Sequence, residues 1–351
     1  MSLESYLRAA PKAELHVHLE GSILPATLLT LAQRNGVELP ADTVEGLGEW
    51  FTFRDFDHFI QVYIAITRCL RTERDYALIA YEFGAEMARQ NVRYAEVTFS
   101  PSTHHALGVP HDVYFTGLQR GRAQAKTDFG VEMAWVFDIV RGLPEPHGSQ
   151  RADYTTSVAI ECKDDGVISL GLGGAEVVGP PEPFRAWFDK ARAAGLHSVP
   201  HAGETAGAAS VWGAIHALGA ERIGHGVRSI EDPALVEHLA GAALPLEVCP
   251  MSNLRLGVAP SLAAHPFLAL YRAGVPLSIN SDDPPLFSTT LSENVALLGQ
   301  PFALDVTEID EILLNGVRHS FLPPERKAMM EAAFREELAT LKSAHLGPGD
   351  L

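Results

Sequence analysis

Eight short runs rich in β-branched and aromatic residues punctuate the chain, near 13–18, 92–99, 131–139, 166–172, 198–201, 222–225, 245–249 and 275–280, and amphipathic stretches separate most of them. In the stretch 73–90, Tyr76, Ile79, Ala80, Phe83 and Met87 recur at helical spacing, which gives a helix one apolar stripe. Strands alternating with helices pair in parallel, and eight such units describe an α/β fold of the (β/α)8 TIM-barrel type, whose active site lies at the carboxyl ends of the strands. The segment 24–91 is too long for one crossover helix, so extra helices are expected between the first two strands, over the barrel mouth, with 50–53 as a lid. Two further helices are expected after the eighth strand, over 307–319 and 324–341, separated at Pro323-Pro324. Met329, Met330, Phe334 and Leu338 would then form an apolar stripe for core packing. No low-complexity tract or Ser/Gly linker divides the chain, so one domain over residues 1–351 is expected.

Residues that can carry chemistry sit at the ends of these runs. His16 and His18 end the first, His201 the fifth and His225 the sixth, while Asp282-Asp283 follow the eighth; a barrel gathers them at one mouth, whereas a doubly wound open sheet would scatter them. Alternate side chains of a strand share a face, so His16 and His18 can reach one ion, and a helix would separate them. The imidazoles of His16, His18 and His201 with the Asp282 carboxylate suit one zinc ion per chain. Zinc so held leaves a position for water and lowers its pKa from ~16 toward ~7. His225, between two glycines, is placed to orient or deprotonate that water. Glu204 lies beyond a bend that Gly203 permits and is a candidate proton donor. Neighbouring residues on extended backbone point apart, so Asp282 can meet the metal while Asp283 meets the substrate.

Composition narrows the partners. A formal charge of −17, from 44 acidic and 27 basic side chains, argues against nucleic acid, whose binders display a basic stripe. A small-molecule substrate fits better. Cys69, Cys162 and Cys249 include no CxxC pair, which implies reduced thiols and a cytoplasmic location. The amino terminus lacks the basic segment and long apolar run of an export signal, and no run of about 18 apolar residues suggests a membrane span. Nothing in the sequence sets the oligomeric state.

AELHVHLEGS at 13–22, HAGE at 201–204, ERIGHGV at 221–227, LEVCPMSN at 246–253 and SINSDDP at 278–284 together resemble the adenosine deaminase family of the amidohydrolase superfamily, over nearly the whole chain. The resemblance implies zinc on His16, His18, His201 and Asp282, and attack of hydroxide on carbon 6 of a 6-aminopurine with loss of ammonia. It implies that Glu204 protonates ring nitrogen 1, that His225 holds and activates the water, that Asp283 contacts ring nitrogen 7 and that the Gly174 N–H contacts ring nitrogen 3. His18 and Glu20 are set against the substrate as well. Members acting on adenosine usually carry Asp where this chain has Glu20, and they tend to place Asp before the glutamate of the run Gly173-Gly174-Ala175-Glu176. HLEG and PPEPF at 180–184 look more like relatives acting on free adenine or 6-aminodeoxyfutalosine, a nucleoside of menaquinone synthesis, while YAEVTFSPSTHH at 94–105 departs from the adenine branch. The expected substrate is therefore a 6-aminopurine nucleoside, adenosine or one with an enlarged 5′ group; the alternative is free adenine.

Plainer readings accompany each motif. A non-catalytic metal-binding interaction protein would not need Glu204, His225 and Asp283, and a binuclear hydrolase would usually need a bridging lysine, which 131–139 and 166–172 lack. His104, His105, His111 and His147 lie in polar or Pro-rich surroundings and read as solvated surface. His197 falls at the amino end of the fifth strand, the wrong end for catalysis, and reads as structural. Gly171 to Gly174 could be turn glycines, and Ser252-Asn253 could simply cap the loop after the seventh strand.

Overall fold

The computed structural model describes residues 2–53 and 56–347. Eight strands, β1 (Lys12–His18), β2 (Val92–Phe99), β3 (Glu132–Arg141), β4 (Val167–Gly174), β5 (His197–Ala202), β6 (Ile223–His225), β7 (Leu246–Val248) and β8 (Leu277–Ile279), pair in chain order, all in parallel. The ring closes just beyond β8. There Val17 bridges Asp282, the His18 N–H donates to the Asp282 carbonyl at 2.9 Å, and the Asp282 N–H donates to the His16 carbonyl at 3.0 Å. This is the expected (β/α)8 barrel, and its closure point lies inside the predicted metal cluster.

The seventh and eighth strands are shorter than 245–249 and 275–280, for a physical reason. Pro245 and Pro276 have no N–H to donate at the strand starts, and Pro250 opens the helix Pro250–Arg255 beyond β7. Between β1 and β2 the helices Pro25–Asn35, Val44–Trp50, Phe56–Arg68 and Glu73–Arg89 fill the long segment. In the last of these Tyr76, Ile79, Ala80, Phe83 and Met87 are all buried, as their spacing requires. After β8 the helices Val306–Arg318 and Pro324–His345 begin at an Asp305/Glu308 capping box and at Pro324 in the first turn. Phe334 and Leu338 are buried and Met330 is half-buried in line with them, but Met329 is 73% exposed. It stands one residue, or about 100° of helix, off the i, i+4 row and so misses the core.

Below the mouth the barrel interior is polar. Arg222, wholly buried, spans it from Glu96 on β2 to Glu247 on β7 with contacts of 2.5 Å to each carboxylate, and a third bond of 2.7 Å goes to the His319 carbonyl. Two neutralising carboxylates and a planar donor fork are what a buried guanidinium needs. Lys12 at the foot of β1 donates to the carbonyls of Arg8, Ala10 and Gln90 at 3.0, 2.7 and 3.0 Å, which ties the helix Leu3–Ala9 to the barrel floor. Cys69, Cys162 and Cys249 are buried, free thiols. Among the described residues no helix is long and apolar enough to cross a membrane.

Candidate metal centre and active site

Strand alternation and the closure of the barrel bring the predicted ligands together: His16, His18, His201 and Asp282 each offer an atom within 4.8 Å of the others, and His16, His201 and Asp282 are buried while the His18 side chain is 12% exposed. The His18 Nε2 is 3.2 Å from the His201 Nε2 and 3.3 Å from the Asp282 Oδ1, and the His16 Nε2 is 3.7 Å from that same oxygen. Ligand bonds of ~2.0–2.1 Å put neighbouring ligand atoms roughly 3–3.5 Å apart, so the 3.2 and 3.3 Å separations are those of side chains sharing one ion, with His16 slightly further out. A second observation agrees. The His16 Nε2 is buried with no hydrogen-bond partner, an expensive state for a nitrogen lone pair unless a cation meets it.

His16 is aimed by its second nitrogen. Its Nδ1 lies 2.8 Å from the Glu247 Oε2, and the Arg222 charge, with the His16 bond, holds the Glu247 carboxyl below its ordinary pKa against the opposing effect of burial. An ionised Glu247 must accept, so His16 Nδ1 carries the proton and Nε2 is left as the ligand lone pair. Asp282 is steadied in the same way by Ser252, whose hydroxyl donates to Oδ2 at 2.6 Å. Burial alone would raise the Asp282 pKa, but the facing imidazoles of His225, His16 and His18 pull it below the ordinary range. Cys249, although near His225 and Asp282, donates its thiol proton to the Glu247 carbonyl at 3.7 Å and so is not presented as a thiolate.

The remaining predicted residues surround this cluster. The His225 Nε2 is 3.8 Å from the Asp282 Oδ2 and 3.6 Å from the Glu204 Oε1, and His225 takes φ 59°, a left-handed conformation costly for a side-chain-bearing residue. Gly224 is required beside it, since a Cβ there would lie 2.7 Å from the His16 ring. Burial first, and then the Asp282 and Glu176 charges, push the Glu204 carboxyl well above its ordinary pKa. Asp283 is raised by burial and by Asp282, and its Oδ1 has no partner. Gly21 leaves room for that oxygen, which a Cβ would strike at 1.6 Å. Gly174 ends β4 at φ 93° on the cavity wall. Glu20 sits behind that wall, fully buried; its Oε1 accepts from the Ser100 N–H at 3.1 Å and faces the His104 Nε2 at 3.0 Å, and its Oε2 is unpartnered.

Several functional neighbours escaped the sequence reading. His104 is not surface but wholly buried, between Glu20 and the Tyr76 hydroxyl and stacked on Phe99. Its Pro-rich, polar neighbours in sequence belong to a helix, Pro101–Ala106, that packs inward. Ser252 and Asn253 do more than cap a loop, since one bonds Asp282 and the other His225. Asp138, from β3, lines the cavity; burial raises its carboxyl to about 7, the Ser100 bond opposing and the Glu20 charge assisting. Glu176 accepts the N–H groups of Gly203, Glu204, Thr205 and Ala206 at 2.6, 3.1, 2.7 and 2.9 Å, and so shapes the loop carrying Glu204. His197, by contrast, stacks on Phe321 near the barrel floor and pairs with Glu221, the structural part expected of it.

A cavity of about 310 Å³ opens from the cluster. One wall is apolar, from Phe59, Ile60 and Phe287, and Phe53 of the expected lid packs edge-on against Phe59 and Phe287. The lining also includes the buried Asp282, Asp283 and Asp138 and the half-exposed Arg151.

Comparison with known proteins agrees with this geometry. The chain is 42% identical over 347 residues to an aminodeoxyfutalosine deaminase of Streptomyces coelicolor, covering 98% of this chain and 87% of the relative. It is 39% identical over 327 residues to an adenine deaminase of Cupriavidus necator, covering 93% and 92%. A solved amidohydrolase from Burkholderia ambifaria with bound zinc superposes with a TM-score of 0.87 at 27% identity, covering 97% of this chain and 94% of that one. The family model for adenosine deaminase matches residues 11–336, which contain every ligand and acid described above, and the chain therefore belongs to the adenosine deaminase family of hydrolytic deaminases.

Proposed function

We propose that this deaminase acts on a 6-aminopurine nucleoside with an enlarged 5′ group, of the aminodeoxyfutalosine type, and holds one zinc ion per chain on His16, His18, His201 and Asp282. The ion, when bound, lowers the pKa of water beside carbon 6. The residues of the chain do the rest. The Glu204 carboxyl, kept protonated by burial and neighbouring charge, donates to ring nitrogen 1, which draws electron density from carbon 6 and offsets the aromaticity lost on addition. Asp283 meets ring nitrogen 7 and the Gly174 N–H meets ring nitrogen 3, so the ring is held on three edges while His18 and His225 flank the reacting carbon. Water adds, ammonia leaves, and the 6-amino group becomes a 6-oxo group. Glu20 acts on the sugar side through Ser100, which it bonds and which lines the cavity.

The cavity carries this reading. At about 310 Å³ it reaches the range of ~300–1,000 Å³ that encloses drug-sized ligands, and its lining includes the cation Arg151, a partner for a 5′ extension with an anionic or hydrogen-bond-accepting end. The relative at 42% identity bears the name aminodeoxyfutalosine deaminase. The buried free thiols favour a reducing, cytoplasmic setting. Incubation of the zinc-loaded protein with aminodeoxyfutalosine, adenosine and adenine, followed by ammonia release, tests it. The expected kcat/KM is highest for aminodeoxyfutalosine; a preference for adenine would overturn the nucleoside reading, and no release from any of them would overturn the purine reading.

A further inference from the structure

We propose that Asn253 and His265 are positioning residues that hold His225 in the single neutral form bearing its proton on Nε2, the nitrogen that faces Glu204 and Asp282. The chain of bonds begins at a group whose role is not negotiable. The backbone N–H of Phe267 can only donate, and it donates to the His265 Nδ1 at 3.0 Å. A neutral His265 therefore carries its proton on Nε2, which lies 3.1 Å from the Asn253 Oδ1 and donates to it. With its oxygen so occupied, the Asn253 amide turns its NH2 toward the His225 Nδ1 at 3.2 Å, and that nitrogen must accept. The His225 proton is left on Nε2.

Each link is protected from competition by water. Asn253 is fully buried, His225 is 1% exposed and His265 5% exposed, so a reversed bond would leave a buried donor facing a donor. Burial also holds His265 down to about 4, so it is neutral near pH 7, as an acceptor at Nδ1 requires. Backbone bonds fix Asn253 at both ends, from its N–H to the Cys249 carbonyl and from the Ala259 N–H to its own carbonyl, each at 3.0 Å.

The consequence is chemical. The His225 Nε2 is 3.6 Å from the Glu204 Oε1 and 3.8 Å from the Asp282 Oδ2, beyond direct hydrogen bonding, so its N–H is directed into a gap where a reacting oxygen fits. A neutral His225 offers that oxygen a donor and no lone pair. Of the two roles open to it, orienting the water and abstracting its proton, the relay selects the first.

Only the kinetic consequence rests on the deaminase reading; the tautomer can be read directly. Two-bond 1H–15N correlation spectra of 15N-histidine protein, metal-free and zinc-loaded, with His225 assigned by difference against His225→Asn, should show His225 protonated on Nε2 and bare on Nδ1. Asn253→Asp replaces the donor facing His225 with an acceptor, and it should move protonation to Nδ1 and lower kcat by roughly 10²- to 10³-fold, the cost of losing one aimed donor, with KM little changed. His265→Gln, which keeps a donor toward Asn253, should retain the wild-type spectrum, and His265→Phe should mix the two forms. A wild-type spectrum with the proton on Nδ1 overturns the proposal, and it decides the matter even if Asn253→Asp does not fold. An Asn253→Asp protein with spectrum and kcat unchanged overturns it too. The expected spectra in a protein that deaminates no purine would sink the functional reading and leave the relay standing.

Discussion

Glu247 bears on the candidate metal cluster through its bond to His16. Arg222 holds its carboxyl pKa down, it fixes the His16 tautomer, and the freed Nε2 faces the other candidate ligands. Glu247→Ala should weaken metal binding by roughly 10- to 100-fold, the usual cost of losing a partner behind a ligating histidine. It should also destabilise the fold by about 3–5 kcal/mol, because the buried Arg222 keeps only one of its two neutralising carboxylates. Chelator competition and urea denaturation measure the two effects; an unchanged metal affinity would show that His16 needs no such partner. At this scale the sequence was informative about which side chains gather at the barrel mouth and poor about their supports. His16, His18, His201 and Asp282 stand in motifs whose spacing implies a shared ion, whereas Glu247 lies in a plain apolar strand and His104 in a segment that looks solvated.

The loop after β5 depends on another element for its shape. Glu176, in the short helical turn Glu176–Val178 after β4, gathers four successive N–H groups of residues 203–206, and its pKa is held down by the Arg141 charge and by these bonds against burial. Charge-assisted bonds to a buried carboxylate contribute ~1.5–3 kcal/mol each, so Glu176→Ala should release the loop and misplace Glu204. Turnover should fall by about 100-fold while the circular dichroism spectrum and zinc content stay near wild type. A variant with normal kcat would show that the loop holds its own shape. Helix and strand existence was legible because periods of 3.6 and 2 are local properties, and the expected segments 73–90 and 307–319 match Glu73–Arg89 and Val306–Arg318 closely. β7 and β8 came out shorter than expected because Pro245 and Pro276 at their starts donate no N–H and Pro250 opens a helix beyond β7.

For the molecule as a whole, buried neutral histidines set the acid limit. Burial lowers His265 to about 4, and burial with the nearby Arg222, Lys327 and Arg318 charges lowers His319 to about 4. Between an unfolded value near 6.5 and a folded value near 4, the unfolded chain binds protons that the folded chain refuses, so stability falls as pH drops through that window and levels off below it. Each residue contributes at most roughly 3 kcal/mol to this loss. Urea midpoints at pH 7.5 and pH 5 should therefore differ less in His265→Gln than in the wild-type protein; an equal difference would remove His265 from the account.

The order of strands and helices, the candidate ligand types and the acidic balance were decided by the sequence itself, because each is written within a few neighbouring residues or summed over the whole chain. Which nitrogen of His16 is free, which carboxyls are pushed above their ordinary pKa and which side chains line the cavity were decided only by the tertiary structure. Those properties arise from partners distant in the chain, such as His16 and Glu247, 231 residues apart, and from burial that strips away the water which would otherwise equalise every side chain.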